Sequence, residues 1–363
     1  MRIGIDASGV SGWRGPSRNI RNIINHLAKM GTGHEFYLFS PYECLKYLDV
    51  GGNVKSVLLP YRKMVPWHGF SLPISAKKHK IDVFIFPHVN FWFFNHIKTI
   101  VLTRTVTIPP WSNRLIDKLQ VKLLKARFAK VANKVCAVSH YNAVHIPITC
   151  GIDPKIIEVI NNGIDPVFLD NGIKPYAPGY EYIVYCGGTE ERKNIYNLLK
   201  AFIILKQNGH KHKLLIVGGK LTPFENEMST YLNTASLINV KKDVILYSIV
   251  KDTKELASIY RGASLVAYPS LQEDFGMISV EAMACGVPLA ASFMPSIPEI
   301  AGDAAVYFDP YDPEDMAEKI EMVLKDENLR KDLIAKGYQR IKKYSWDESA
   351  KKLLKIIEEV ANS

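Results

Sequence analysis

The 363 residues exceed what one hydrophobic core usually supports, so two domains are expected. A composition of 47% hydrophobic and 23% charged residues excludes a disordered or fibrous chain, and no apolar run reaches the ~18 residues that cross a bilayer as a helix. The formal net charge of +10 suggests an anionic partner, a phosphorylated substrate or an acidic membrane face, or merely a lysine-rich proteome, and without zinc-ligand spacing or a nucleic-acid motif nucleic acid ranks last.

In chain order, short β-branched runs alternate with helical patterns, the signature of parallel α/β architecture. The first half offers strands at Ile3–Ile5, Tyr37–Phe39, Val54–Leu59, Val83–Phe86, Ile100–Leu102, Val135–Val138 and Ile156–Ile160. They are continuously apolar, as expected where helices cover both sheet faces. The first run begins almost at Met1 and leaves no room for a signal peptide. With five scattered cysteines (Cys44, Cys136, Cys150, Cys186, Cys285), it points to a reducing, cytoplasmic setting. Residues 165 to 180 then lapse into Asp165-Pro166, Asn171-Gly172, Pro175 and Pro178-Gly179, a turn-rich stretch that reads as a linker. The alternation restarts with Tyr182–Cys186, Leu214–Val217, Val244–Leu246, Leu265–Tyr268, Leu289–Ala291 and Val306–Phe308. After the first of these, Ile195, Leu198, Leu199, Phe202 and Leu205 make one helical stripe. A last helix runs from about Asp347 to Val360. The result is two doubly wound domains, which bind ligands beyond the carboxyl ends of their strands.

The richest segment is Pro269-Ser270-Leu271-Gln272-Glu273-Asp274-Phe275-Gly276-Met277, which leads into a helix that carries Glu281 and ends at Cys285-Gly286-Val287-Pro288. Backbone N–H groups at Phe275, Gly276 and Met277 would sit at a helix N-terminus, where a diphosphate is favoured. Glu273 can accept hydrogen bonds from sugar hydroxyls, and Glu281, one helical stretch further on, from a ribose. Taken alone, Glu273 and Asp274 could equally complement the helix dipole, and Glu281 could be a solvated charge.

Embedded as it is, Glu-x7-Glu strongly resembles the donor-site signature of glycosyltransferase family 4, the retaining GT-B enzymes of group 1. Further segments carry the resemblance along the chain: Val159-Ile160-Asn161-Asn162-Gly163-Ile164-Asp165, Gly187-Gly188-Thr189-Glu190-Glu191-Arg192-Lys193-Asn194, Ile297-Pro298-Glu299-Ile300-Ala301-Gly302-Asp303-Ala304-Ala305 and Tyr344-Ser345-Trp346-Asp347. The resemblance implies a GT-B fold, two Rossmann-like domains facing across a cleft. An acceptor domain would occupy 1–170, a nucleotide-sugar donor domain 171–345, and a helix crossing back to the first domain 346–363. It implies that Glu273 holds the sugar hydroxyls, Glu281 the ribose and Lys193 the diphosphate, with Phe275, Gly276 and Met277 as backbone cradle. Arg192 stands in for a family arginine that commonly occupies the position of Gly188, or is a surface charge. Gly12 and Gly15, in the first βα turn, would face the sugar and diphosphate. No D-x-D carboxylate pair is present, so no metal cofactor is expected.

The chain departs from the family where a His-Asp pair usually follows the strand at Ile100–Leu102. It reads Thr103-Arg104-Thr105-Val106, and His88, which closes the preceding strand, is a candidate replacement or an ordinary loop histidine. Phe91-Trp92-Phe93-Phe94 is core or an acceptor wall. Trp111–Lys130, with alternating basic and leucine positions, is a surface helix or a peripheral contact with anionic membrane. The function expected is transfer of a sugar, mannose by similarity to E-R-K-N-type members with GDP-mannose as donor, to a glycan or lipid-linked acceptor. A non-catalytic sugar-nucleotide-binding subunit is the rival, motivated by the missing pair. A GT-B epimerase would need catalytic acids that the sequence does not offer.

Overall fold

The computed structural model describes residues 1–12, 15–60, 67–87, 97–103, 130–218, 232–233 and 240–363. His88, Arg104-Thr105-Val106, Phe91–Phe94 and all but the end of the 111–130 stretch lie outside these described residues.

The chain forms two compact units, Met1–Gly163 with Ser345–Ser363, and Ile164–Tyr344. The first holds a seven-stranded sheet of β1 (Arg2–Asp6), β2 (Glu35–Ser40), β3 (Val54–Leu58), β4 (Val83–Phe86), β5 (Lys98–Thr103), β6 (Lys134–Ala137) and β7 (Ile157–Val159). Its order is β3-β2-β1-β4-β5-β6-β7, with every pairing parallel. Successive residues of β4 point to opposite faces. Val83 and Ile85 join the core under the helix Gly15–Lys29, and Phe84 and Phe86 join the core of the other face. Gly4 is the register partner of Phe84, and a Cβ there would stand 2.6 Å from its ring, so the phenylalanine lies over a glycine by necessity.

The second unit holds a six-stranded parallel sheet in the order β10-β9-β8-β11-β12-β13. Its strands are β8 (Tyr182–Cys186), β9 (Lys213–Val217), β10 (Val244–Tyr247), β11 (Leu265–Tyr268), β12 (Leu289–Ser292) and β13 (Val306–Phe308). The predicted stripe Ile195, Leu198, Leu199, Phe202 and Leu205 is buried against this sheet from the helix Ile195–Gln207. Strand order reverses between β8 and β11, and doubly wound sheets bind ligands beyond the carboxyl ends of their strands at such a switch point.

The turn-rich stretch 165–180 is not a free connector but part of the second unit. Asp165 accepts from the Val167 N–H and starts a short 3-10 turn whose Phe168 is buried beside Tyr260. Further on, Tyr176 N–H donates to the Ser258 carbonyl at 2.9 Å. Polar turn residues concealed this docking because the anchoring is done by single aromatic rings and by hydrogen bonds to distant residues such as Ser258 and Arg261. The final helix, Trp346–Asn362, is capped by Ser345, which accepts from the Glu348 N–H, and buries Trp346, Ala350, Leu353, Ile356, Ile357 and Val360 in the core of the first unit.

Candidate active site

The site is built at the switch point of the second sheet. After β8 the chain makes the turn Gly187–Glu190, a 3-10 turn Glu191–Lys193, and then Asn194 in the left-handed region at φ 55°. A Cβ on Gly187 would stand 2.8 Å from the Tyr185 hydroxyl, which donates to the Gly188 carbonyl at 2.6 Å and folds the turn back on its strand. The loop after β11 runs alongside: Leu271 N–H donates to the Arg192 carbonyl at 2.7 Å, and the Asn194 amide donates to the carbonyls of Pro269 and Pro310.

This splice brings three predicted residues together. Lys193 Nζ donates to Glu273 Oε1 at 2.5 Å, and an Arg192 guanidinium nitrogen stands 3.9 Å from Glu273 Oε2. Arg192, 40% exposed, thus turns its charge toward Glu273 rather than away into water. The Glu273 side chain is only 13% exposed. Burial alone would push its carboxyl up; the Lys193 ammonium and its hydrogen bond, with Arg192, outweigh that and hold it below the ordinary glutamate value. Glu273 is therefore an ionised acceptor inside the protein, the state needed to grip hydroxyl donors.

Gly276, at φ 88° and ψ 55°, precedes the helix Met277–Ala284. An added Cβ would have room, its nearest neighbour being Ser279 Oγ at 3.6 Å. The left-handed backbone, not crowding, is what demands glycine. The Phe275 ring is buried edge-on against Tyr344 at 5.4 Å, which anchors the turn so that the first N–H groups of the helix emerge at a fixed place. Glu281 is 2% exposed, which excludes a solvated surface charge, and the Tyr260 hydroxyl donates to its Oε2 at 3.1 Å. A buried carboxylate needs such partners. Sequence patterns gave no sign of Tyr260, of Asn194 as a clamp, or of Ser296 after β12, whose Oγ donates to the Glu273 carbonyl, since each acts through a tertiary contact.

Gly12 and Gly15 lie in the first unit, after β1. Arg21 donates to the carbonyls of Val10 and Gly12, pinning that loop, and a Cβ on Gly12 would meet Ser17 Oγ at 2.2 Å. Gly15 opens the helix Gly15–Lys29 with nothing crowding its Cα. Among the described residues no group of three or more His, Cys, Asp or Glu side chains is placed to hold a metal ion.

Two family models match the chain: "Glycosyltransferase Family 4" over residues 13–168 and "Glycosyl transferases group 1" over residues 172–340. Among curated proteins it is 32% identical over 166 residues to the O-antigen chain mannosyltransferase B of Escherichia coli, covering 46% of this chain and 42% of that enzyme. The chain thus spans less than half the length of the first curated relatives it matches. Among solved structures, sucrose-phosphate synthase from Thermosynechococcus elongatus superposes with a TM-score of 0.79 at 18% identity over 100% of both chains. Anabaena HepE in complex with UDP-glucose gives 0.71 at 15% identity over 98% and 99%. These likenesses show a GT-B fold. With one model on each sheet and motifs of both in order, the chain belongs to the group 1, family 4 glycosyltransferases.

Proposed function

We propose that the protein is a retaining glycosyltransferase that moves mannose from a nucleoside-diphosphate sugar to a glycan or lipid-linked acceptor. The observation that carries this reading is the Lys193–Glu273–Arg192 cluster beside the helix that starts at Met277. Two cations and a helix N-terminus favour a diphosphate, and an ionised buried carboxylate among them favours a hydroxyl-rich sugar. Mannose is drawn from the similarity to the mannosyltransferase of Escherichia coli.

In this mechanism the bond from the anomeric carbon to the β-phosphate oxygen breaks with its electron pair passing to that oxygen. Lys193, Arg192 and the N–H groups of Phe275, Gly276 and Met277 stabilise the growing charge, which is electrostatic catalysis without a divalent metal. The acceptor oxygen bonds to the anomeric carbon from the same face, and its proton passes to the departing phosphate, so no protein nucleophile is required. Glu273 holds the sugar hydroxyls and Glu281 the ribose. Gly12, Gly15 and His88 are assigned to the sugar and diphosphate from the first unit. The net charge of +10, the basic 111–130 stretch and the five scattered cysteines favour work in the cytoplasm beside an anionic membrane.

A thermal-shift panel of nucleoside diphosphates and their sugars tests this, since a ligand at ~100 times its Kd adds about 2.7 kcal/mol. GDP-mannose should stabilise most and be hydrolysed slowly without acceptor, in the presence of a chelator as in its absence. Glu273→Gln should lower turnover with free GDP affinity nearly intact, while Glu281→Ala should weaken free GDP by roughly 1.5–3 kcal/mol. Equal losses of GDP affinity in both variants, or activity that a chelator abolishes and manganese restores, would refute these assignments.

A further inference from the structure

Only three non-glycine residues among those described have a positive φ: Lys80, Asn194 and Ser296. The two in the second unit both reach the loop that carries Glu273. Asn194 does so from the loop after β8, through Pro269. Ser296 does so from the loop after β12, where its Oγ donates to the Glu273 carbonyl at 2.8 Å.

Ser296 sits at φ 71° and ψ −37°, is 2% exposed, and immediately precedes the short helix Ile297–Ala301. A serine there ordinarily adopts extended backbone and turns its oxygen onto the first N–H groups of the helix. Ser296 makes no such cap. It forgoes a favourable cap and accepts a sparsely populated backbone, and the hydroxyl this frees is directed to one atom of the candidate site. Strain of this kind persists only where its surroundings enforce it, and it concentrates at functional positions. Here the enforcement is visible. Ile297 N–H donates to the Met294 carbonyl, Ile300 N–H to the Ser296 carbonyl, and Ser292 Oγ to the Ser270 carbonyl at 2.5 Å.

We infer that Ser296 is a positioning residue for Glu273. β11 lies between β8 and β12, so the Glu273 loop is gripped from both sides. Lys193 pulls the carboxylate from one flank, and Ser296 fixes the Glu273 carbonyl, and with it the direction of the Cα–Cβ bond, from the other. Without Ser296 the carboxylate still has Lys193 but loses the main-chain reference that aims it at a bound sugar. The inference rests on the sugar-holding role of Glu273 proposed above.

The test uses the full chain with Ser296→Ala, Ser296→Gly and, as reference, Glu273→Gln. Four quantities are measured: hydrolysis of GDP-mannose and UDP-glucose, affinity for GDP and UDP, thermal midpoint, and hydrogen exchange of peptides covering 270–276. Both Ser296 variants should lower kcat about three- to tenfold, the equivalent of one neutral hydrogen bond, with GDP and UDP affinity unchanged and faster exchange at 270–276. Because glycine takes a φ of 71° without strain, Ser296→Gly should melt at or above Ser296→Ala and yet be no more active. Wild-type kcat in both Ser296 variants beside a crippled Glu273→Gln overturns the positioning role and leaves the site reading standing. Wild-type kcat in Glu273→Gln removes the site reading, and the inference with it. Losses of kcat that follow the thermal midpoint, with exchange at 270–276 unchanged, reduce Ser296 to a structural residue and also overturn it.

Discussion

At the scale of single residues, the sign of one charge interaction makes Glu273 usable. Its surroundings oppose each other: burial favours the neutral acid, whereas the Lys193 ammonium and the Arg192 guanidinium favour the carboxylate and prevail. A depressed carboxyl contributes stability above its unfolded value, and that contribution is lost as pH falls through the lower folded value. Removing Lys193 leaves burial opposed chiefly by Arg192 at 3.9 Å, so the Glu273 carboxyl should rise. Lys193→Ala should therefore be about 1.5–3 kcal/mol less stable than wild type at neutral pH, with the gap narrowing as pH drops below the ordinary glutamate range. Urea melts across that range read the gap directly. A gap of constant size would mean that Lys193 contributes packing and not charge.

At the scale of elements, most of the fold was legible because strands buried on both faces announce themselves. Val83–Phe86 or Leu265–Tyr268 can hardly be anything else between helical patterns, and both appear as read. The site was legible where it is local. Gly276 and the helix after it are neighbours in sequence, and Lys193 sits in a recognisable turn. What was not legible depends on chain segments far apart: the Tyr260 hydroxyl on Glu281, the Asn194 amide on Pro269 and Pro310, and the docking of Phe168 beside Tyr260. The two kinds of glycine separate the same way. Gly276→Ala meets no crowding, so its cost should be that of φ 88° alone, about 1–2 kcal/mol, together with weaker GDP binding as the first helical N–H groups turn away. Gly15→Ala, in open space at the head of its helix, should leave stability nearly unchanged. Melts and calorimetric titration of the pair check this, and an equal cost in both would show that backbone handedness at Gly276 does not set the cradle.

At the scale of the molecule, the first unit is completed only by the last residues of the chain. Ile164 N–H donates to the Tyr344 carbonyl at 3.2 Å, so the second unit closes on itself and leaves residues 345–363 to the first. There the helix Trp346–Asn362 packs into the core formed by β1, β4 and the helix Gly15–Lys29. Burying Trp346, Leu353, Ile356, Ile357 and Val360 at about 1.5–3 kcal/mol each amounts to some 7–15 kcal/mol, as large as the whole stability of a typical domain of about 5–15 kcal/mol. The first unit should therefore not hold its fold without this helix, whereas 164–344 contains its own sheet and both of its tied ends. A chain ended at Tyr344 should keep slow hydrogen exchange in β8 to β13 and lose it in β1 to β7. In the untruncated chain Gly163→Ala should act on the same unit, because its Cβ would collide with the Trp346 nitrogen, backbone that has no rotamer to yield. It should weaken protection in β1 to β7 and leave β8 to β13 as in wild type. Loss of protection in both sheets together, in either protein, would show that the two units unfold as one and that the returning helix does not belong to the first alone.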